Sequence, residues 1–309
     1  MTFGSIVTAV KRMNRRSVLK ATAIATAAAA ISPAAARAQS NVVGTVVDYS
    51  AGVPSAQSVK NAGHLGAVRY VSERRPGANW MLGKPVTAAE TQDFAAQNLA
   101  TASVYQFGKA DTADWLGGAV SAARHAPEAI RLHAAAGGPT GRPIYVAIDD
   151  NPTRAQYDQQ IKPYLRAFQA ALATAGYQTG VYGNYNVIQW CTEDGIGTFF
   201  WQHDWGSGGR VHPRATIHQK AGWRAVIDGV EVDVNNVYAS DWGQWTPGAA
   251  PAAPPIAPPA IQDVSSVPLA PSAPTLPQVT LGDIKAAGKQ LADAGNQMSS
   301  QFNWPQLPF

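Results

Sequence analysis

The sequence predicts an α/β fold, a (β/α)8 TIM-like barrel, on three observations. Eight β-rich runs recur between Val42 and Val237. Most stretches between them carry helix signals, and about 205 residues suffice for a compact barrel of eight such units. No glycine-rich phosphate loop follows the first run, where Asp48-Tyr49-Ser50 stands instead, which disfavours the alternative of a doubly wound open sheet.

The runs cover residues 42–48, 67–71, 102–107, 144–149, 179–182, 198–202, 215–219 and 231–237. Between the second and third, Thr87-Ala88-Ala89-Glu90 is a capping box that opens a helix toward Leu99. Asp111 can cap the next helical stretch, and Pro127 is expected to divide it, sitting in the first turn of its second part. A second capping box, Thr153-Arg154-Ala155-Gln156, opens a helix that ends at Gly176. Along that helix Tyr157, Ile161, Leu165, Phe168 and Leu172 recur at three- and four-residue steps, one apolar face to pack on a sheet. Pro163 is expected to kink it.

The barrel is predicted for residues 39–246, with a leader before it and a tail behind. The chain of 309 residues carries 24 Lys+Arg against 20 Asp+Glu, a net charge of +4. Residues 1–38 contain Lys11, Arg12, Arg15, Arg16, Lys20 and Arg37 and no acid, which leaves 18 bases against 20 acids in the remainder. The excess charge therefore belongs to the leader, and the remainder shows no basic footprint for nucleic acid. Arg15-Arg16 precede Val18-Leu19-Lys20, an Ala-rich run follows from Ala21 to Ile31, and Ala36-Arg37-Ala38 offers the small residues of a signal-peptidase site. The run is about half the length that spans a bilayer. Residues 1–38 thus resemble a twin-arginine (Tat) signal peptide. The mature protein is expected to be secreted or associated with the cell envelope, without a stable transmembrane segment.

Residues 247–279 are dominated by Pro and Ala and read as a semi-extended linker. In residues 280–309, Leu281, Ile284, Gly288, Leu291, Gly295, Met298 and Phe302 follow heptad-like spacing. That segment is read as a weak amphipathic helix for contact with the barrel, an envelope partner or a membrane surface, with a disordered tail as the alternative. Nine Trp and 46% hydrophobic residues supply a core, and a single Cys excludes a disulfide framework. Cys191 is expected to be a buried, inert thiol.

In such a barrel the chemistry sits at the carboxyl ends of the strands. Those positions bring Asp48, then Arg69 and Glu73, Gln106, Asp149-Asp150-Asn151, Tyr182, Trp201-Gln202-His203-Asp204, Gln219, and finally Asp233 and Asn235. Carboxylates gathered with amides and flat aromatic rings suit a glycan, because cleaving a glycosidic bond takes two carboxyl groups. Asp149, Asp48 and Asp233 are the candidate catalytic residues. Arg69, Glu73, Gln106, Asn151, Tyr182, Trp201, Gln219 and Asn235 are the candidates for holding substrate. The competing role for any one carboxylate is a structural ion pair, for example of Arg69 with Asp48 or Asp149. His203, Asp204, His212 and His218 lie close in sequence but form no helical i, i+4 metal pair, so neither a metal nor a cofactor is expected.

The runs Val43 to Ser50, Arg69-Tyr70, Pro143 to Asp149, Gly180 to Gly183, Trp201-Gln202, Ile217 to Gln219 and Val232 to Asn235 together resemble a known family. It is the glycoside-hydrolase-like barrel domain of Tat-exported actinobacterial envelope proteins, a distant relative of the family 25 (Chalaropsis-type) muramidases. The resemblance covers about residues 41–245 and implies a peptidoglycan-type cell-wall glycan as ligand. Family 25 muramidases carry Asp-x-Glu on the fourth strand. In one register Asn151 falls at the acid position; in the other Asp149 does, and Ala147 replaces the first Asp.

The leading expectation is an exported glycoside-hydrolase-like protein that engages cell-wall glycan at the barrel mouth. Asp149 would be the general acid, in a partly desolvated site that raises its pKa, with Asp48 or Asp233 stabilising the transition state or positioning water. The alternative is a catalytically inactive wall-binding pseudoenzyme, which Asn151 favours.

Overall fold

The structure, a computed structural model, describes residues 42–249. The leader 1–38, nearly all of the linker and the segment 280–309 lie outside the described residues. Eight strands form a closed barrel in sequence order. They are β1 (Gly44–Asp48), β2 (Gly66–Tyr70), β3 (Ala100–Tyr105), β4 (Pro143–Ala147), β5 (Gln178–Gly183), β6 (Phe199–His203), β7 (Ile217–Ile227) and β8 (Val230–Val237). Helices α1 (Ala56–Asn61), α2 (Ala88–Ala96), α3 (Gly118–Ala135), α4 (Lys162–Thr174) and α5 (Tyr185–Glu193) follow the first five strands in turn.

This is not the predicted (β/α)8 TIM-like barrel. The pairings from β1 to β7 are parallel, but β8 runs antiparallel to both β7 and β1. Among the described residues no helix follows β6, β7 or β8. The reason lies at Asp228-Gly229, where both residues adopt left-handed φ values of 49° and 76°. Two consecutive positive φ values make the tight turn of a hairpin, and Ile227 pairs directly with Val230 across it. A parallel eighth strand would need a crossover of a dozen or more residues. Strand β7 instead runs through the stretch that the crossover would have occupied.

The helix starts agree with their caps. The Thr87 side chain accepts from the Glu90 backbone N–H, and Thr153 and Gln156 form a reciprocal box. At the first cap, however, the Glu90 carboxylate turns away to Arg69. Pro127 does not divide its helix: α3 continues through it from Gly118 to Ala135. Asp111 lies in a short 3-10 turn, Ala110–Thr112, and not at the start of that helix. Ahead of α4, whose first turn holds Pro163, the chain forms a π-helical turn over Tyr157–Ile161.

Strand alternation sorts the core into layers. Val46, Val68, Ala102, Val104, Tyr145, Ala147, Trp201, Ile217 and Val237 fill the barrel interior. The intervening positions face the helices: Ile144, Val146 and Ile148 pack with the predicted face of Tyr157, Ile161, Leu165, Phe168 and Leu172. Val47, Ala67, Val232 and Val234 form a third cluster with Phe94 of α2. Cys191 is fully buried, and burial pushes its thiol up to about 12, well away from a reactive thiolate.

Candidate active site

The inward-facing rows end at the barrel mouth in a cleft of about 410 Å³ whose lining includes Asp48, Asp149 and Asp233. Parity places them there. Asp48 follows Val46 on the interior row of β1, and Asp149 continues the row Tyr145, Ala147 beyond the end of β4. Asp233 arrives by another route. Because β8 runs antiparallel, its early half lies at the mouth, and Asp233 stands opposite Asp48 in the β1–β8 register.

Asp48 is 3% exposed, and its Oδ2 accepts from Gln219 Nε2 at 2.9 Å and from Asn235 Nδ2 at 2.8 Å. The donors are held in turn: Trp201 Nε1 donates to Asn235 Oδ1 at 2.8 Å, and Tyr182 Oη donates to Gln219 Oε1 at 2.5 Å. An indole N–H can only donate, so it fixes which end of the Asn235 amide faces Asp48. Burial and the charge of Asp233 push the Asp48 carboxyl up to about 7, against the opposing pull of the two amides. Burial also raises Asp233, although Arg224 Nε donates to it at 3.3 Å.

Asp149 behaves in the opposite way. Burial works to raise its pKa, but the Lys109 ammonium at 2.8 Å and a hydrogen bond from Gln106 Nε2 at 3.1 Å outweigh it, and the carboxyl lies below the usual carboxylate range. The upward shift expected at Asp149 is thus found at Asp48, while the Lys109 ammonium and the Gln106 amide move Asp149 the other way.

Of the predicted binding residues, Gln106, Tyr182, Trp201 and Gln219 line the cleft, and Asn235 stands directly behind Asp48. Three others do not line it. Arg69 sits on the outward row of β2, 1% exposed, in an ion pair with Glu90 and not with Asp48 or Asp149. Its guanidinium lies 3.9 Å from the Tyr49 ring centroid and donates to the Gly83 carbonyl at 2.6 Å, which pins the loop after β2. Glu73 is half exposed and pairs with Arg131 at 3.5 Å. Asn151 is exposed, and its Oδ1 accepts from Asn184 Nδ2 at 2.9 Å.

Lys84, Lys109, Tyr70, Arg75 and Trp80 also line the cleft and were absent from the predicted set. Lys84 is 4% exposed; its Nζ donates to the Gln106 carbonyl at 2.6 Å and lies 4.4 Å from the Tyr70 ring centroid. Burial lowers its pKa to about 7. The inward parity of Val68 would have selected Tyr70 and excluded Arg69, and Lys109 stands in the loop just after β3, where active residues gather.

A second cavity of about 280 Å³ adjoins the first, lined on its far side by His203, Asp204, Trp205, Lys220 and Arg224. The Asp204 carboxylate lies 2.6 Å from His218 Nε2. Among the described residues no group of three or more His, Cys, Asp or Glu is placed to hold a metal ion, and no helix is long and apolar enough to cross a membrane.

Residues 57–237 match the family described as Rv2525c-like, glycoside hydrolase-like domain. Rv2525c of Mycobacterium tuberculosis, a candidate peptidoglycan hydrolase, is 48% identical over 240 residues, which cover 75% of this chain and 99% of that protein. The crystal structure of Tat-secreted Rv2525c in complex with L-tartrate superposes with a TM-score of 0.64 at 49% identity, covering 66% of this chain and 100% of that one. The complex of Rv2525c with HEPES gives 0.63 at 50% identity, covering 66% and 99%. The chain therefore belongs to the Rv2525c-like family of glycoside hydrolase-like domains.

Proposed function

We propose that the protein is an exported, peptidoglycan-directed glycoside hydrolase in which Asp48 donates the proton and Asp149 acts as the ionised partner. The observation that carries this reading is the division of labour in one cleft. The Asp48 carboxyl is pushed up to about 7, while Lys109 keeps Asp149 charged. Environments that push two carboxyl pKa values apart are the signature of an acid paired with a stabilising carboxylate. Both amide donors reach Oδ2 of Asp48, so the proton belongs on Oδ1. That proton passes to the glycosidic oxygen as the C–O bond breaks, and Asp149 stabilises the positive charge that develops at the anomeric carbon. Water then adds to that carbon and returns a proton to Asp48. Asp233 keeps Asp48 protonated through its charge.

Export rests on the twin-arginine signal read in residues 1–38 and on the relative being Tat-secreted. On this reading residues 39–246 form the working domain, 247–279 a linker, and 280–309 a contact segment for the envelope. A second reading, wall binding without turnover, draws support from the ion pair that occupies Asp149 and from Asn151, which carries no acid. Incubating the mature protein with insoluble peptidoglycan separates the two. The hydrolase releases soluble muropeptides, and Asp48→Asn and Asp149→Asn abolish the release. Retention on the wall by all three proteins with no release by any would establish the binding module instead.

A further inference from the structure

The two cavities at the mouth are not independent. Asp149, Tyr182, Gln219 and Asp233 line both, so Asp149 and Asp233 stand at the junction between them, with Asp48 on the side of the first. Each cavity also carries one conspicuously exposed indole. Trp80, in the loop after β2, lines the first and is 54% exposed; Trp205, just past β6, lines the second and is 56% exposed. Elsewhere at the mouth the tryptophan is consumed by the fold, as with Trp201, which is 2% exposed and hydrogen-bonded to Asn235.

Each exposed ring has a neighbour that limits its freedom. The Arg75 guanidinium lies 6.0 Å from the Trp80 ring centroid, and the His203 ring lies 6.4 Å from that of Trp205. The loop bearing Trp80 is itself fastened, since Arg69 holds the Gly83 carbonyl and Lys84 holds that of Gln106. A large indole left in water costs free energy unless a ligand covers it. A ring that is apolar on its faces and hydroxylated at its edge matches an indole beside amides and carboxylates, whereas a purely apolar ligand would leave those polar groups unpaired.

We propose that the mouth is a two-sided groove that takes the interior of a glycan chain, with Trp80 and Trp205 as sugar-stacking platforms on opposite sides of the carboxylates. This rests on the glycan reading above and sharpens it: the protein engages chains along their length, and the two indoles set the length preference.

The test uses the full chain carrying Asp48→Asn, so that bound glycan stays intact. The probes are N-acetylglucosamine–N-acetylmuramic acid oligomers of two and of eight sugars, with binding followed by calorimetry. The eight-sugar oligomer is expected to bind at least about tenfold more tightly than the two-sugar one. Adding Trp80→Ala or Trp205→Ala is expected to remove about five- to tenfold of that gain, and Phe at either position to restore part of it. Thermal melts confirm that each variant is folded. Equal affinity for both lengths, or a length gain that survives either Ala substitution in a folded variant, overturns the two-sided groove while leaving glycan binding in place. Failure of the parent protein to bind either oligomer overturns the proposed function and this inference with it.

Discussion

On the wall built by β1, β7 and β8, Asp48 receives two amide N–H groups and makes no ion pair with a Lys or Arg of the described residues. On the wall built around the ends of β3 and β4, Asp149 receives one amide N–H and an ammonium. The two carboxyl groups share a cleft, yet their pKa values move in opposite directions. Neutral amides orient a carboxyl without supplying a charge, so burial and the neighbouring Asp233 dominate at Asp48. A lysine supplies the charge, and at Asp149 that outweighs burial.

The sharpest way to break this comparison is to remove the proton from one side. Asp48→Asn keeps the shape and the acceptor but cannot donate, and muropeptide release should fall by about 10²- to 10⁴-fold, as expected for the loss of a general acid. Muropeptide release that stays near the wild-type rate would remove Asp48 from the acid's role.

The same substitution reports on stability. A carboxyl whose folded pKa lies above its unfolded value binds more protons in the native state between the two, so its contribution is complete below about pH 4 and is lost as pH rises through about 7. Wild-type protein should therefore lose on the order of a few kcal/mol relative to Asp48→Asn between pH 4 and pH 8. Urea unfolding of both proteins at the two pH values measures the difference. Parallel pH profiles would mean that Asp48 is ionised without penalty.

On the other wall, Lys109→Met withdraws the charge that keeps Asp149 ionised. The acid limb of the pH–activity profile should then move upward by about 1 to 3 pH units, with the alkaline limb in place. A smaller shift is expected from Asp233→Asn. It removes a like charge from beside Asp48, so the alkaline limb should move down by about half a unit to one unit. Movement of that limb upward would contradict the assigned cause.

Much of this arrangement was legible in the residues. Alternation along β1 and β4 puts Asp48 on the row of Val46 and Asp149 on the row of Tyr145 and Ala147, and the Thr153–Gln156 box marks the start of its helical region. Alternation applied to β2 would also have turned Arg69 outward, away from the cleft. Asp228-Gly229, flanked by Val226-Ile227 and Val230, is a hairpin signal that would have replaced the eighth parallel unit. The strand-end reading of Asp233 reached the mouth by the wrong direction of travel: in a parallel strand its early position would lie at the opposite end of the barrel.

Other features depended on distance in the chain. The donors to Asp48 come from residues 171 and 187 positions away, and no local pattern announces them. Nor does the run Pro143 to Asp150 reveal that Lys109 will reach Asp149 while Arg69 is consumed by Glu90. The sequence by itself determined the export-like leader, the strand and helix periodicities, and the presence of three carboxylates on inward rows, because these depend on local spacing and side-chain alternation. Only the tertiary structure decided which donors and charges surround each carboxyl, and so which of the two is shifted upward. Closure of the barrel sets the donors, charges and burial around each group, and those long-range neighbours move the pKa values of two chemically identical side chains in opposite directions.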